Sequence, residues 1–197
     1  MPKEQKAEIV AIPAIEIGKS TLTIIGDSAL ICHNWSSKAK KEMLDKQMKK
    51  AKQAREAKDP ERDYLESLYT VPGKEGFYFP SVAIKAAAVD ACSHIDGMTK
   101  VLARGAFHII GDMVKINGEP RPREDMVRVG MGTADIRYRG EFPEWSITFD
   151  VRYNKRSVSL DQIVNMINVG GFAIGIGEWR PQRDGSFGMF HVAEGGE

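Results

Sequence analysis

The segment SITFDVRY, residues 146–153, sets Ile147, Phe149, Val151 and Tyr153 at alternate positions with polar residues between them. A two-residue period marks a strand with one face on a core and the other in solvent. Ser159 follows, with Gln162 three residues on, a capping-box pattern that starts a helix. Leu160, Ile163, Val164 and Ile167 make its apolar face, and Gly170 suits the left-handed position that ends it.

The same pairing of strand and helix recurs upstream. TLTIIGDSALIC, 21–32, is rich in β-branched residues and reads as a strand broken near Gly26. FYF, 77–79, reads as a short strand, and Pro80 opens an alanine-rich helix reaching Cys92 because its missing N–H is not needed there. From Arg104, RGAFHIIGDMVKI reads as one strand that ends at the Asn117-Gly118 turn. Residues 118–145, punctuated by Pro and Gly, read as a protruding hairpin. The order predicts an α+β chain, with a ferredoxin-like (split βαβ, RRM-like) domain over 1–197.

One stretch stands outside this pattern. Residues 36–63 hold ten Lys or Arg against six Asp or Glu. Glu42 with Lys46, and Asp45 with Lys49, have helical i,i+4 spacing, while Ala39, Met43, Leu44, Met48 and Ala51 form only a narrow apolar stripe. This predicts a basic helical insertion of about 22 residues, about 33 Å long, that Pro60 ends. Lys38 and Lys41 on it are candidate phosphate contacts. A solvated face laced with ion pairs is the competing explanation.

Composition narrows the function classes. With 42% apolar and 28% charged residues, the chain has the profile of a globular protein. No stretch approaches the roughly 20 apolar residues of a membrane span. MPKEQKAEIV has no apolar signal core, and Cys32 and Cys92 match no metal spacing, so a cytoplasmic location is expected, with no metal and no cofactor. A net charge of +1 excludes a uniformly basic nucleic-acid coat but leaves room for local patches.

GGFAIGIGEWRPQRDGSFGMFHV, 170–192, is predicted as two strands around a glycine-rich loop. Glycine lets backbone N–H groups approach a phosphate, Arg180 and Arg183 add charge-assisted contacts, and Trp179 offers a stacking face. A plain hairpin with tight turns is the alternative. Gly175-Ile176-Gly177 through Arg183 to Gly185-Ser186-Phe187-Gly188-Met189-Phe190 resembles the glycine-rich loop of the repeat-associated mysterious protein (RAMP) superfamily. Phe79-Pro80-Ser81-Val82-Ala83-Ile84-Lys85-Ala86-Ala87 is similar to that family's first-helix start, and Gly26-Asp27-Ser28-Ala29-Leu30-Ile31 to its opening strand and loop. The patches cover about a quarter of the chain, and Ala86–Ala88 replace the family's usual glycine after the basic residue. The chain also resembles an uncharacterised type of phage or prophage protein.

The resemblance implies single-stranded RNA binding across a ferredoxin-like sheet and stacking into a homo-oligomer or filament. It implies phosphate contacts from Ser81, Lys85 and the loop glycines Gly175, Gly177, Gly185 and Gly188. It also implies a thumb around 121–139, where Arg137, Tyr138 and Arg139 alternate basic and aromatic groups. His108 and His191, in apolar strand contexts, are expected to be structural. His33 is the histidine weighed as a general base, although no motif aligns it, and Asp27, Asp45, Asp59 and Asp63 are weighed as loop acids. The expectation is a non-catalytic binder of single-stranded RNA or DNA. An endoribonuclease of RAMP type and a structural phage protein that oligomerises without nucleic acid are the alternatives.

Overall fold

The computed structural model of the protein describes residues 12–50, 57–130 and 132–194. Strand β1 (Ile17–Gly26) leads to β2 (Leu30–Cys32), helices α1 (Ser37–Gln47) and α2 (Pro60–Ser67), strand β3 (Phe77–Pro80) and helix α3 (Ser81–Ala91). Helix α4 (Lys100–Ala106) precedes strands β4 (Phe107–Ile109), β5 (Met113–Asn117), β6 (Arg121–Val129), β7 (Thr133–Phe142) and β8 (Ser146–Asn154). Helix α5 (Leu160–Ala173) and strand β9 (Phe190–Val192) follow. The main sheet runs β3-β5-β8-β1-β9, with β4 also paired to β8, and a second sheet runs β2-β7-β6. Every strand pair is antiparallel. The chain is therefore α+β, as its pattern of strands and helices predicts.

The alternation in β8 does what its period requires. Ile147, Phe149 and Val151 are buried, and the register sets Leu22 opposite Phe149 and Ile24 opposite both Ile147 and Val192. Ile84, Ala87 and Ala88 of α3, with Ile163, Met166 and Ile167 of α5, close over this face in one cluster. Fully burying each large aliphatic side chain contributes about 1.5–3 kcal/mol. The Ser159 capping box is formed, both of its hydrogen bonds included. Among the described residues no helix is long and apolar enough to cross a membrane.

Several local expectations are corrected. Gly170 does not end α5. A Cβ there would lie 2.8 Å from the Ala87 carbonyl carbon, so its smallness lets α3 and α5 approach. The helix runs on to Ala173, and Gly175, at φ 68°, takes the left-handed position and donates its N–H to Gly170 O at 2.8 Å. The charged insertion is not one long helix. α1 is 11 residues with Met48 as its C-cap, and Pro60 opens α2 behind the Asp59 N-cap instead of closing a helix. Ala51 and the rest of 51–56 lie outside the described residues, as do 1–11. Arg104 to Ala106 belong to α4, and the expected single strand is split into β4 and β5 around a bend near Gly111.

The last segment departs most. Residues 170–173 are helical and only 190–192 form a strand, so there is no hairpin at 170–192. The glycine-rich stretch is instead a loop pressed on the junction between β1 and β2. Glu178 N–H donates to Ile31 O at 3.0 Å, Gly188 N–H to Ala29 O at 2.8 Å and Met189 N–H to Ser28 Oγ at 3.0 Å. The 118–145 hairpin exists as β6 and β7, but its base is buried at Gly140, Glu141 and Phe142 and pairs with β2.

Two glycine substitutions test this account by urea unfolding. Gly188 has φ 64° and a Cβ would sit 1.7 Å from Ile176 O, whereas Gly105 in α4 has open space around it. Gly188→Ala is expected to lose at least about 1–3 kcal/mol from backbone strain alone. Gly105→Ala is expected to gain up to about 1 kcal/mol.

Candidate nucleic-acid interface

The β6–β7 register puts Arg121 opposite Glu141, Arg123 opposite Arg139 and Asp125 opposite Arg137. With a period of two, these side chains share one face, and they link into a chain of charges. Arg121 and Arg123 donate to Glu141 at 2.7 and 2.8 Å. Arg123 also donates to Asp125 at 2.9 Å, and Arg139 reaches Asp125 at 3.1 Å. Arg139 Nη2 lies 3.9 Å from Glu178 of the glycine-rich loop, and Glu178 meets His33 Nδ1 at 3.0 Å. The Arg123 guanidinium lies 4.7 Å from the Phe187 ring centre, a cation–π contact that ties the hairpin to the same loop.

Charge states follow from these contacts. The hydrogen bond from His33 holds the Glu178 carboxyl below the ordinary glutamate range against the opposing effect of burial, with Arg139 assisting. Burial pushes the Glu141 carboxyl up, but Arg121 and Arg123 outweigh it and the net shift is down. Both groups therefore stabilise the fold fully above the unfolded value near 4.3, and that contribution is lost as pH falls below it. Burial pushes the Cys32 thiol, beside His33, up to about 12.

The expected site residues separate into internal and displayed groups. Arg139 is internal, only 2% exposed, and its Nε is buried without a hydrogen-bond partner among the described residues. It is a strut between hairpin and loop, not a surface contact. Ser81 is buried and donates to Gly111 O at 2.5 Å. Lys85 donates to Arg104 O at 3.0 Å and to His108 Nδ1 at 3.1 Å, and burial lowers its pKa. The loop glycines face their own chain. The N–H groups of Gly175, Gly185 and Gly188 donate to Gly170, Arg180 and Ala29 carbonyls, and a Cβ on Gly177 would meet Ile31 O at 2.6 Å. Three of the four glycine N–H groups expected to cradle a phosphate are thus already bonded. Arg180 donates to Gly177 O at 3.0 Å and to Gln182 at 3.1 and 3.2 Å.

Other groups are displayed. Trp179 is 40% exposed and holds φ 53°, a left-handed conformation unusual for a bulky residue. Arg183 is exposed, with no side-chain hydrogen bond or ion pair among the described residues. Lys41 is exposed on α1 and Lys38 half-buried. Arg137 lies 3.6 Å from Asp135. Tyr138 is on the opposite face of the hairpin, where a hydrogen bond with Glu124 raises its pKa. His33 is half-exposed. His108 and His191 are on the solvent side of their strands and not in apolar surroundings; His191 Nδ1 meets Asp27 at 2.6 Å. Among the described residues no His, Cys, Asp and Glu group could hold a metal.

Sequence reading missed Arg123, Asp125, Glu141, Glu178 and Phe187. The alternation of charges in RPREDMVRV was the available signal for the first two. Glu178 and Phe187 carry no local signal, because a loop fold brings them to the hairpin.

Two antiparallel sheets, with helices covering the larger one, define an α+β fold in which a loop bridges sheet and hairpin. A chain of the cryo-EM structure of the Type III-B Cmr-beta bound to cognate target RNA is similar in fold. It matches at a TM-score of 0.54 and 10% identity, over 90% of this chain and 59% of that chain. The crystal structure of Cmr6 from Pyrococcus furiosus aligns over 91% of this chain and all of its own, at 10% identity and a TM-score of 0.44. The fold is therefore similar to that of the matched chain of the Type III-B Cmr-beta structure. No protein-family model and no curated protein matches the chain.

Removing the strut should be costly. Arg139→Met removes one of the two cations on Asp125 and leaves Arg123 bonded to it, so a loss of about 1.5–3 kcal/mol, that of a charge-assisted hydrogen bond, is expected in urea unfolding. Arg183→Ala should stay within about 0.5 kcal/mol of the parent. Cys32 should resist a thiol reagent at pH 8 until the protein unfolds.

Proposed function

We propose that this protein binds single-stranded nucleic acid without cleaving it, through the outer rim of its glycine-rich loop. The observation that carries the reading is Trp179, held at positive φ and 40% exposed four residues before the exposed Arg183 on the same loop. A left-handed conformation in a large side chain costs about 1–3 kcal/mol. The loop's internal hydrogen bonds impose that conformation and leave an indole and a guanidinium projecting from a rigid base. Such preorganisation suits base stacking beside a phosphate contact. Fold likeness to a chain from an RNA-bound assembly supports the same reading.

The finer fold assignment belongs to this proposal. The path β5-β8-β1-β9, with α3 between β1 and β4 and α5 between β8 and β9 in the chain, supports a ferredoxin-like split βαβ. The second sheet and the α1–α2 segment are then additions to that core. The protein is RAMP-like in this reading, and it associates into a homo-oligomer along its ligand.

A second reading has one observation in its favour. The His33–Glu178 pair at 3.0 Å joins an imidazole to a carboxylate, a combination able to accept a proton. Cleavage of labelled RNA by the parent protein and its loss in His33→Ala would establish that reading over the first.

Fluorescence anisotropy with single-stranded RNA and DNA at two salt concentrations tests the leading proposal. Trp179→Ala should lose about 1–3 kcal/mol of binding. Arg183→Ala should reduce the salt slope by about 0.7. Undetectable binding of both polymers at low salt would end the idea.

A further inference from the structure

Lys19, Arg152 and His108 form a row across three strands at the far end of the main sheet. The registers place Lys19 directly opposite Arg152 and His108 directly opposite Arg152, so the three share the face that α3 and α5 leave open. All three are exposed. Directly opposed side chains have Cβ atoms about 4.5–5.5 Å apart, and like charges in that position repel.

Elsewhere the protein relieves such repulsion internally. Arg123 also faces Arg139, but Asp125 bonds both. No group does this for Lys19 and Arg152, which have no side-chain hydrogen bond or ion pair among the described residues. Of the nearby acids, Glu16 is paired with a cation, whereas Asp150 lines the same cleft and is bonded only to a hydroxyl. Asp150, on the same face, accepts from Thr21 Oγ1 at 2.6 Å, and Glu16 is paired with Arg156 at 2.9 Å. A cleft of about 490 Å³ opens on this face, lined by Lys19, Thr21, Ile110, Asp150 and Arg152 among others.

His108 completes the row in a defined protonation state. The Lys85 ammonium has no lone pair, so at 3.1 Å it donates to His108 Nδ1 and fixes the proton of the neutral ring on Nε2. Burial lowers the His108 pKa, and the charges of Lys85 and Arg152 lower it further, which favours that neutral ring. The exposed ring therefore offers an N–H donor beside two cations.

We propose that Lys19, Arg152 and the His108 Nε2–H bind a phosphate group on the open sheet face, as a site separate from the loop rim. Gly26, next to the loop, is seven steps along β1 from Lys19, a span of about 23 Å. The phosphate comes either from the backbone of a single strand or from a small phosphorylated molecule. Both present the same oxygens to the same donors.

Amide chemical shifts of the full chain, titrated with inorganic phosphate, a 5′-mononucleotide and a single-stranded oligonucleotide, test the site. Sodium chloride at matched ionic strength is the control. Shifts at Lys19, His108 and Arg152 with phosphate ligands, absent with chloride and lost in Lys19→Gln/Arg152→Gln, establish it. Response to the oligonucleotide alone assigns the strand backbone, and response to the small ligands alone assigns a free phosphate. No response at these residues to any phosphate ligand, or an equal response to chloride, overturns the site. If the oligonucleotide is the source, the double variant should also flatten the salt slope of its binding by about 1.4. Intact binding and slope in that variant, with weakened binding in Trp179→Ala, would sink this strand-backbone assignment and leave the loop-rim function standing. The variant should melt at the same or a higher temperature, because a repulsion is removed; a lower one would make the row structural and overturn the assignment.

Discussion

Main-chain hydrogen bonds between the glycine-rich loop and residues 29–31 join the two sheets. β1 ends in the main sheet at Gly26, and β2 starts in the second sheet at Leu30, so the chain changes layers within three residues. Such a crossing leaves carbonyl groups without ladder partners, and buried carbonyls need donors. Ala29 O and Ile31 O receive theirs from Gly188 and Glu178, while Trp145 Nε1 donates to Ser28 O at 2.8 Å. The loop can lie this close only because side chains are missing where it touches backbone. Its glycines serve the fold first, and any ligand meets what the loop displays.

The charged face of β6 and β7 depends on the same seam. Glu178 sits where it can reach both Arg139 and His33 because Glu178 N–H is already fixed on Ile31. Buried ion pairs add little net stability over apolar packing, but removing one partner is costly. The chain from Arg121 to His33 therefore sets the angle of hairpin, loop and β2 more than it adds stability. A rigid seam is also what allows Trp179 to be held in a conformation it would not choose alone.

Elements with a strong local period were legible in the sequence. β8 was readable from four alternating residues, α5 from Ser159 and Gln162, and α3 from Pro80 and its alanines. The break near Gly26 was readable too, but not its meaning as a change of sheet. The failures share a cause. Gly170 reads locally as a helix end because glycine favours one, yet packing against Ala87 uses its small size inside the helix. Pro60 reads as a stop, although the Asp59 cap in front of it makes it a start. The glycine-rich segment reads as open to a ligand because sequence shows missing side chains but not which neighbour fills the space. Arg139 and Arg183 look alike in a one-dimensional pattern; the β6–β7 register makes the first a strut, and the path of the loop leaves the second facing water.

That distinction between paired and unpaired cations organises the surface as a whole. Lys and Arg number 28 against 27 Asp and Glu, so near-neutrality would suggest a protein indifferent to anions. The carboxylates are not evenly placed, however. Asp125, Asp135, Glu141 and Glu178 are all engaged with arginine, lysine or histidine around the second sheet. The open face of the main sheet keeps Lys19 and Arg152 without such partners, and the loop rim keeps Arg183. An antiparallel register fixes opposed side chains, so two like charges set opposite each other cannot separate without disturbing the pairing. Repulsion of that kind is tolerated in a fold whose core is already closed, and it is relieved when an external anion arrives. The net charge of a chain thus says little about its partners until the register shows which cations the fold has used.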